Sequence, residues 1–147
     1  MNEDASKEHD AVPWRHIVED VADALIYIDW QGVIQAWNPA AAVLFGFSAD
    51  EALGQHVDLI IPKHLRAAHA EGFDRAMERG KTVGGNEVRR TRGLHRDGRK
   101  LYVDMSFAVV KDDQGNVLGS AAMARDATAQ HLAERAQREA EAGSRPT

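Results

Sequence analysis

Cysteine is absent from the 147 residues. Its absence excludes disulfides, thiolate metal sites and any photochemistry that needs a cysteinyl adduct, and it leaves histidine as the only strong nitrogen donor for iron or zinc. No run approaches the roughly 18 consecutive apolar residues of a membrane span. The opening stretch from Met1 to Asp10 is polar and acidic, without a signal-peptide pattern. These absences lead us to expect a cytoplasmic protein with no membrane partner. A basic stripe is missing as well: 18 Lys and Arg stand against 23 Asp and Glu, a net charge of −5, which argues against nucleic acid as the main partner.

What remains is a chain of ordinary globular composition, 44% hydrophobic, long enough for one core and too short for a second catalytic module. The boundaries read as a disordered tail at 1–12, a domain over 13–126 and a terminal helix with its tail over 127–147. Trp14, Ile17, Val18 and Val21 give an apolar side to a short helix running from Pro13 to Ala24. Such a helix packs on a sheet or pairs with its own copy. Residues 25–30 and 33–37 read as two strands joined by a tight Gln31-Gly32 turn. Asn38 followed by Pro39 starts a helix. Ser48 and Glu51 form a capping box that opens another.

The second half reads as three strands. Thr82 to Leu94 is extended and charged. Lys100 to Lys111 alternates, with Leu101, Val103, Met105, Phe107 and Val109 on one face. The third strand, Asn116 to Arg125, carries only small residues and Met123 through its middle, which leaves volume above a sheet. Asp126 then caps the last helix. Trp37 and the other tryptophans read as packing, and His131 as a surface residue.

The stretch from Pro62 to Gly80 comes nearest to stating a function. Read as one helix advancing about 100° per residue, it places Ile61, Leu65, His69, Gly72, Phe73 and Ala76 in a single stripe. His69 falls in the middle of that buried face, whereas His64 points to the flank. An imidazole there is either a structural core histidine or a ligand to a metal cofactor. Gly72 on the same side is costly in a helix unless something needs the space. A flat macrocycle would use it; close helix-to-sheet packing is the plainer account. No designed acid–base pair is evident, so an enzyme is not expected.

Element order and motifs together resemble a PAS domain. The motifs are Gly32 to Ala41, Leu44-Phe45-Gly46-Phe47-Ser48, Glu51-Ala52-Leu53-Gly54, Arg96-Asp97-Gly98 and Arg125-Asp126-Ala127-Thr128. The resemblance implies an α+β fold, a five-stranded antiparallel sheet with a helical cluster on one face and flanking helices at both ends. Within that family the run Pro62-Lys63-His64-Leu65-Arg66-Ala67-Ala68-His69 resembles the haem-binding oxygen sensors of the FixL kind. It implies haem b ligated through its iron by His69, a propionate partner in Arg75, and a distal Arg89 with Arg90 as understudy. Leu65, Gly72 and Phe73 would lie on one side of the haem, with Met105, Phe107 and Met123 across. The family's second propionate partner, a histidine, falls here at Val83, and Phe107 is larger than the aliphatic residue of the pattern.

Taken alone, several of these residues have plainer uses. Arg75 reads as a solvated helix residue, Arg89 as a partner for a carboxylate such as Asp104, and Met105 as ordinary core. Flavin light sensors of the same fold need a cysteine that this chain does not have. The resemblance thus implies a sensor that binds a diatomic gas (O2, CO or NO), forms a homodimer, and signals through its flanking helices to an effector that is either supplied in trans or removed from this chain. The alternative is a cofactor-free or metabolite-binding dimerisation module of the same fold.

Overall fold

The computed structural model describes residues 11–82 and 87–144. The expected disordered tail therefore falls outside the described residues over 1–10, as do Val83, Gly84-Gly85-Asn86 and the last three residues. The elements run α1 (Trp14–Asp20), β1 (Ala24–Asp29), β2 (Ile34–Trp37), α2 (Pro39–Phe45), α3 (Ala49–Ala52), two 3-10 turns (Val57–Ile60 and Lys63–Leu65), α4 (Arg66–Arg79), β3 (Arg89–Leu94), β4 (Lys100–Lys111), β5 (Val117–Asp126) and α5 (Thr128–Ser144). The five strands form one sheet in the order β2-β1-β5-β4-β3, and every pairing is antiparallel. This is the sheet and helical cluster expected from the sequence.

Strand β5 lies at the centre, so its small residues decide how closely its neighbours approach. A Cβ built on Gly119 would meet Ile28 O at 2.1 Å, which leaves no room there for any other residue. The core gathers on one face of the sheet. Ile26, Ile28, Ile34, Leu101, Val103, Met105 and Ala124 pack under Leu44, Phe45, Val57, Ile60 and Ile61 from the helical cluster. Asn38 ties the first half of the chain together. Its Oδ1 accepts from Leu25 N (2.9 Å) and Ala41 N (3.0 Å), and its Nδ2 donates to Val18 O (2.8 Å) and Asp23 O (3.0 Å). One side chain therefore caps α2, fixes β1 and anchors α1.

Several expectations are corrected. The helix foreseen over 62–80 is a 3-10 turn followed by α4, with a break at Leu65, whose φ of −103° and ψ of −5° lie off the α-helical values. Strand β3 begins at Arg89 rather than Thr82. The first helix ends at Asp20. Of the tryptophans only Trp37 packs, tilted against Phe45 and donating its Nε1 to Phe47 O at 2.9 Å. Trp14 and Trp30 are 69% and 64% exposed. His131 is half-buried, its ring stacked on Tyr102 at 3.8 Å between centroids.

Candidate functional site

Helix α4 contains no fully buried residue, although its apolar stripe faces the sheet. Leu65 and Phe73 of the stripe touch the core, but the stripe borders open space as well. A cavity of about 520 Å³ lies between α4, the 3-10 turn Val57–Ile60 and the inner face of the sheet, well within the size range of small-molecule and cofactor sites. Ala68, His69, Gly72, Phe73 and Ala76 form its α4 wall, extended by Leu65 from the preceding 3-10 turn; Ile26, Ile28, Val103, Met105, Phe107, Ser120 and Ala122 form its sheet wall. Most of that lining is apolar. A Cβ on Gly72 would meet nothing within 4 Å, so close helix-to-sheet packing does not account for this glycine. The helix gives up side-chain volume beside an open hollow.

His69 lines the cavity and is half-buried, its ring nearly parallel to that of Phe73 with centroids 6.4 Å apart. Burial lowers its pKa below the ordinary histidine value, reinforced by His56 and opposed by the Asp58 carboxylate. The neutral ring, with one nitrogen lone pair available, is the favoured form. His64, by contrast, is exposed.

On the edge strand β3 the register decides which arginine looks where. Arg89 pairs with Met105 and Arg90 with Asp104, and successive side chains leave on opposite faces. Arg89 therefore shares a face with Met105, and at this sheet edge the cavity also reaches Arg90 and Arg92. Arg90 emerges on the outer face. There its Nε and Nη2 donate to Asp104 Oδ1 (2.9 Å) and Oδ2 (3.3 Å), and its Nη1 donates to Glu134 Oε2 on α5 at 2.8 Å. The carboxylate considered for Arg89 is thus held by its neighbour. These contacts raise the Arg90 pKa and hold those of Asp104 and Glu134 below the usual carboxylate range.

Two named site residues stand elsewhere. Met123 is a correction. It pairs with Ser106 and Leu25 while Ala122 and Ser120 face the cavity, so it lies on the outer face and is 39% exposed. Arg75 is exposed on α4, 3.7 Å from Glu71 Oε2, and is not part of the lining. Sequence reasoning placed Ile61 in the stripe but missed the rest of the cavity floor, Val57 and Ile60 from the helical cluster with Ile26 and Ile28 from β1. The alternation of β1, apolar at 24, 26 and 28 on the buried face, was the available signal for the last two. Among the described residues no group of three or more His, Cys, Asp or Glu could hold a metal ion by itself, so any metal here would depend on His69 together with ligands from a cofactor. No described helix is long and apolar enough to cross a membrane.

Known proteins resemble this chain in sequence and fold. The chain is 34% identical over 97 residues to the sensor protein FixL of Bradyrhizobium diazoefficiens, covering 63% of this chain and 18% of that protein. It is 29% identical over 125 residues to the oxygen sensor protein DosP of Escherichia coli, covering 85% of this chain and 15% of that one. The chain thus spans less than a fifth of the length of these curated relatives. Among solved structures, a PAS domain from Colwellia psychrerythraea superposes with a TM-score of 0.68 at 24% identity, over 78% of this chain and 94% of that one. An RNA-binding light-oxygen-voltage receptor superposes at 0.63 and 20% identity, over 90% of this chain and 38% of the receptor. At such identities these structures speak for the fold alone. The family model described as PAS fold matches residues 14–127, from the first residue of α1 to the end of the sheet, and the chain belongs to the PAS family.

Proposed function

We propose that this PAS domain is a haem-based gas sensor module rather than an enzyme. The single observation that carries the reading is the half-buried, neutral-favoured His69 on the wall of a largely apolar hollow, one turn from a glycine with open space above it. The names of the two curated relatives, a sensor and an oxygen sensor, support it, as does the family motif that ends on His69. The residues present fit haem b. His69 would hold the iron through its free ring nitrogen, Leu65, Gly72 and Phe73 would cover one face, and Met105 and Phe107 the other. The bound group would supply reversible binding of O2, CO or NO.

The chain's own residues do the rest. Apolar walls exclude water and favour the macrocycle in proportion to the apolar area they cover. Arg75, held by Glu71 only at 3.7 Å on the surface, remains available to a propionate. Arg89 brings a positive charge to the cavity face, which would favour a ligand that takes on negative charge when bound, as O2 does, over CO. Output would pass from β3 to α5, because Arg90, next in sequence to Arg89, holds Glu134. The effector would be carried in trans or on another part of a longer protein.

Haem titration followed by absorbance tests this. Wild-type protein and the His64→Ala variant are expected to give a Soret band saturating at one haem per chain. His69→Ala and the space-filling Gly72→Leu are expected to lose it. An unchanged band in His69→Ala would remove the ligand from this account. A specific observation also supports a homodimer. Trp14 and Ile17, about one helical turn apart on α1, are both exposed, as are Met123 on the outer sheet face and Leu132 on α5, and a second copy of the chain would cover them. Light scattering is expected to give twice the chain mass, reduced by a Trp14→Glu and Ile17→Glu pair.

A further inference from the structure

A second hollow, an open cleft of about 540 Å³, lies between the β3–β4 edge of the sheet and α5. Arg92 and Tyr102 form its sheet wall. They pair across the two strands two places from Arg90 and Asp104, and so share their outer face. His131, Arg135, Arg138 and Ala142 form the helix wall; spaced four, three and four residues apart, they fall on one face of α5. The two walls meet where the half-buried rings of Tyr102 and His131 stack at 3.8 Å between centroids.

Three guanidinium groups thus border one cleft, in a chain whose net charge is −5. The nearby acids do not offset them. Asp104 and Glu134 are both held by Arg90. Glu139 is the one acidic residue of the lining, and it meets Arg135 at 3.4 Å with both side chains more than half exposed. A pair so exposed contributes little and is easily exchanged. Among the described residues Arg92 and Arg138 make no ion pair. The cleft therefore offers guanidinium groups to an anion without first having to break a strong contact.

Its shape decides which anion. From His131 to Ala142 the helix wall runs about 16 Å, at about 1.5 Å per residue. A single phosphate reaches one turn of that wall, whereas an extended polypeptide of about five residues, at about 3.3 Å each, spans it. A nucleic-acid strand needs a longer basic track than three arginines supply. The stacked rings give the stem of an acidic side chain an apolar surface to lie on.

We propose that this cleft docks an extended, acidic segment of a partner protein: Arg92 and Arg138 bind its Asp or Glu carboxylates, and Arg135 joins them once Glu139 is displaced. The inference goes beyond gas sensing and stands whether or not the inner cavity holds haem.

Fluorescence anisotropy of rhodamine-labelled hexaglutamate with the haem-free full chain tests it. Wild type is expected to bind the peptide, with an affinity that falls as salt is raised. Arg92→Gln combined with Arg138→Gln should weaken binding about tenfold, the worth of two surface ion pairs. Lys63→Gln combined with Arg79→Gln, which removes the same charge from exposed positions outside the cleft, should leave it unchanged. Glu139→Gln should tighten it about twofold, because Arg135 is then free. Peptide-induced shifts in 15N NMR should gather around Tyr102 and His131. No binding by wild type, equal losses in the two double variants, or shifts centred elsewhere would overturn the proposal. Tighter binding of a labelled oligouridylate than of hexaglutamate would also overturn it, by assigning the cleft to phosphate.

Discussion

His69 is held below the ordinary histidine pKa chiefly by burial, and this has a direct consequence for stability. The folded protein binds that proton less readily than the unfolded chain does. Its contribution is complete above the unfolded histidine value and is lost as the pH falls through that value towards the lower folded one, where the loss ends. Haem-free protein is therefore expected to lose stability as the pH falls below the ordinary histidine value of about 6.5, with His69 supplying a slope of at most about 1.4 kcal/mol per pH unit. Denaturant melts of wild type and His69→Leu check this: the variant should show a shallower slope over that range. Asp104 and Asp112, whose pKa values are lowered by hydrogen bonds from Arg90 and Asn116, act only at lower pH. An equal slope in both proteins would mean that His69 is not desolvated. At this scale the stripe of α4 was legible because period 3.6 put His69, Gly72 and Phe73 together. Met123 was misplaced because Gly119-Ser120-Ala121-Ala122-Met123-Ala124 is small on both faces and offers no apolar alternation to set the phase. Strand β4, whose large residues alternate, set the phase of Met105 and Phe107 and, through pairing, that of Arg89.

Among the elements, α2 depends on Asn38 more than on its own residues. The Asn38 side chain is 2% exposed and makes four hydrogen bonds to main-chain groups of α1, β1, α2 and the link between the first two. Asn38→Ala removes a helix cap and strands buried donors and acceptors, so it is expected to cost about 2–4 kcal/mol. Chemical denaturation measures this, and a loss below about 1 kcal/mol would show that water replaces the side chain. The Asn-Pro pair revealed the cap from sequence. The ties to Val18 and Asp23 could not be seen, because they depend on where α1 returns across the sheet. The same limit applies to α5. Its apolar positions are sparse, and what docks it is a set of long-range contacts. Tyr102 stacks on His131, Thr128 Oγ1 accepts from Tyr102 N at 3.0 Å, and Arg90 bridges Asp104 and Glu134. Read locally, His131 looked like a surface residue.

For the whole molecule, the order of elements and the turn motifs were enough to give the sheet and the helical cluster. The hollow was legible only in outline, from a central strand without bulk and a glycine in a helix. Its floor, from β1 and the 3-10 turn, depends on packing across the chain that no local pattern records. The hollow speaks against one half of the alternative reading: a PAS domain that binds nothing has little reason to keep α4 off its sheet, whereas a haem sensor or a metabolite-binding domain needs the gap. The decisive measurement is the position of iron in crystals of the haem-loaded protein, located by anomalous scattering at the iron edge. The account requires one iron per chain, bonded to a ring nitrogen of His69, with the macrocycle between Gly72 and Met105. Iron at the surface, or on any other residue while the hollow stays empty, would contradict it.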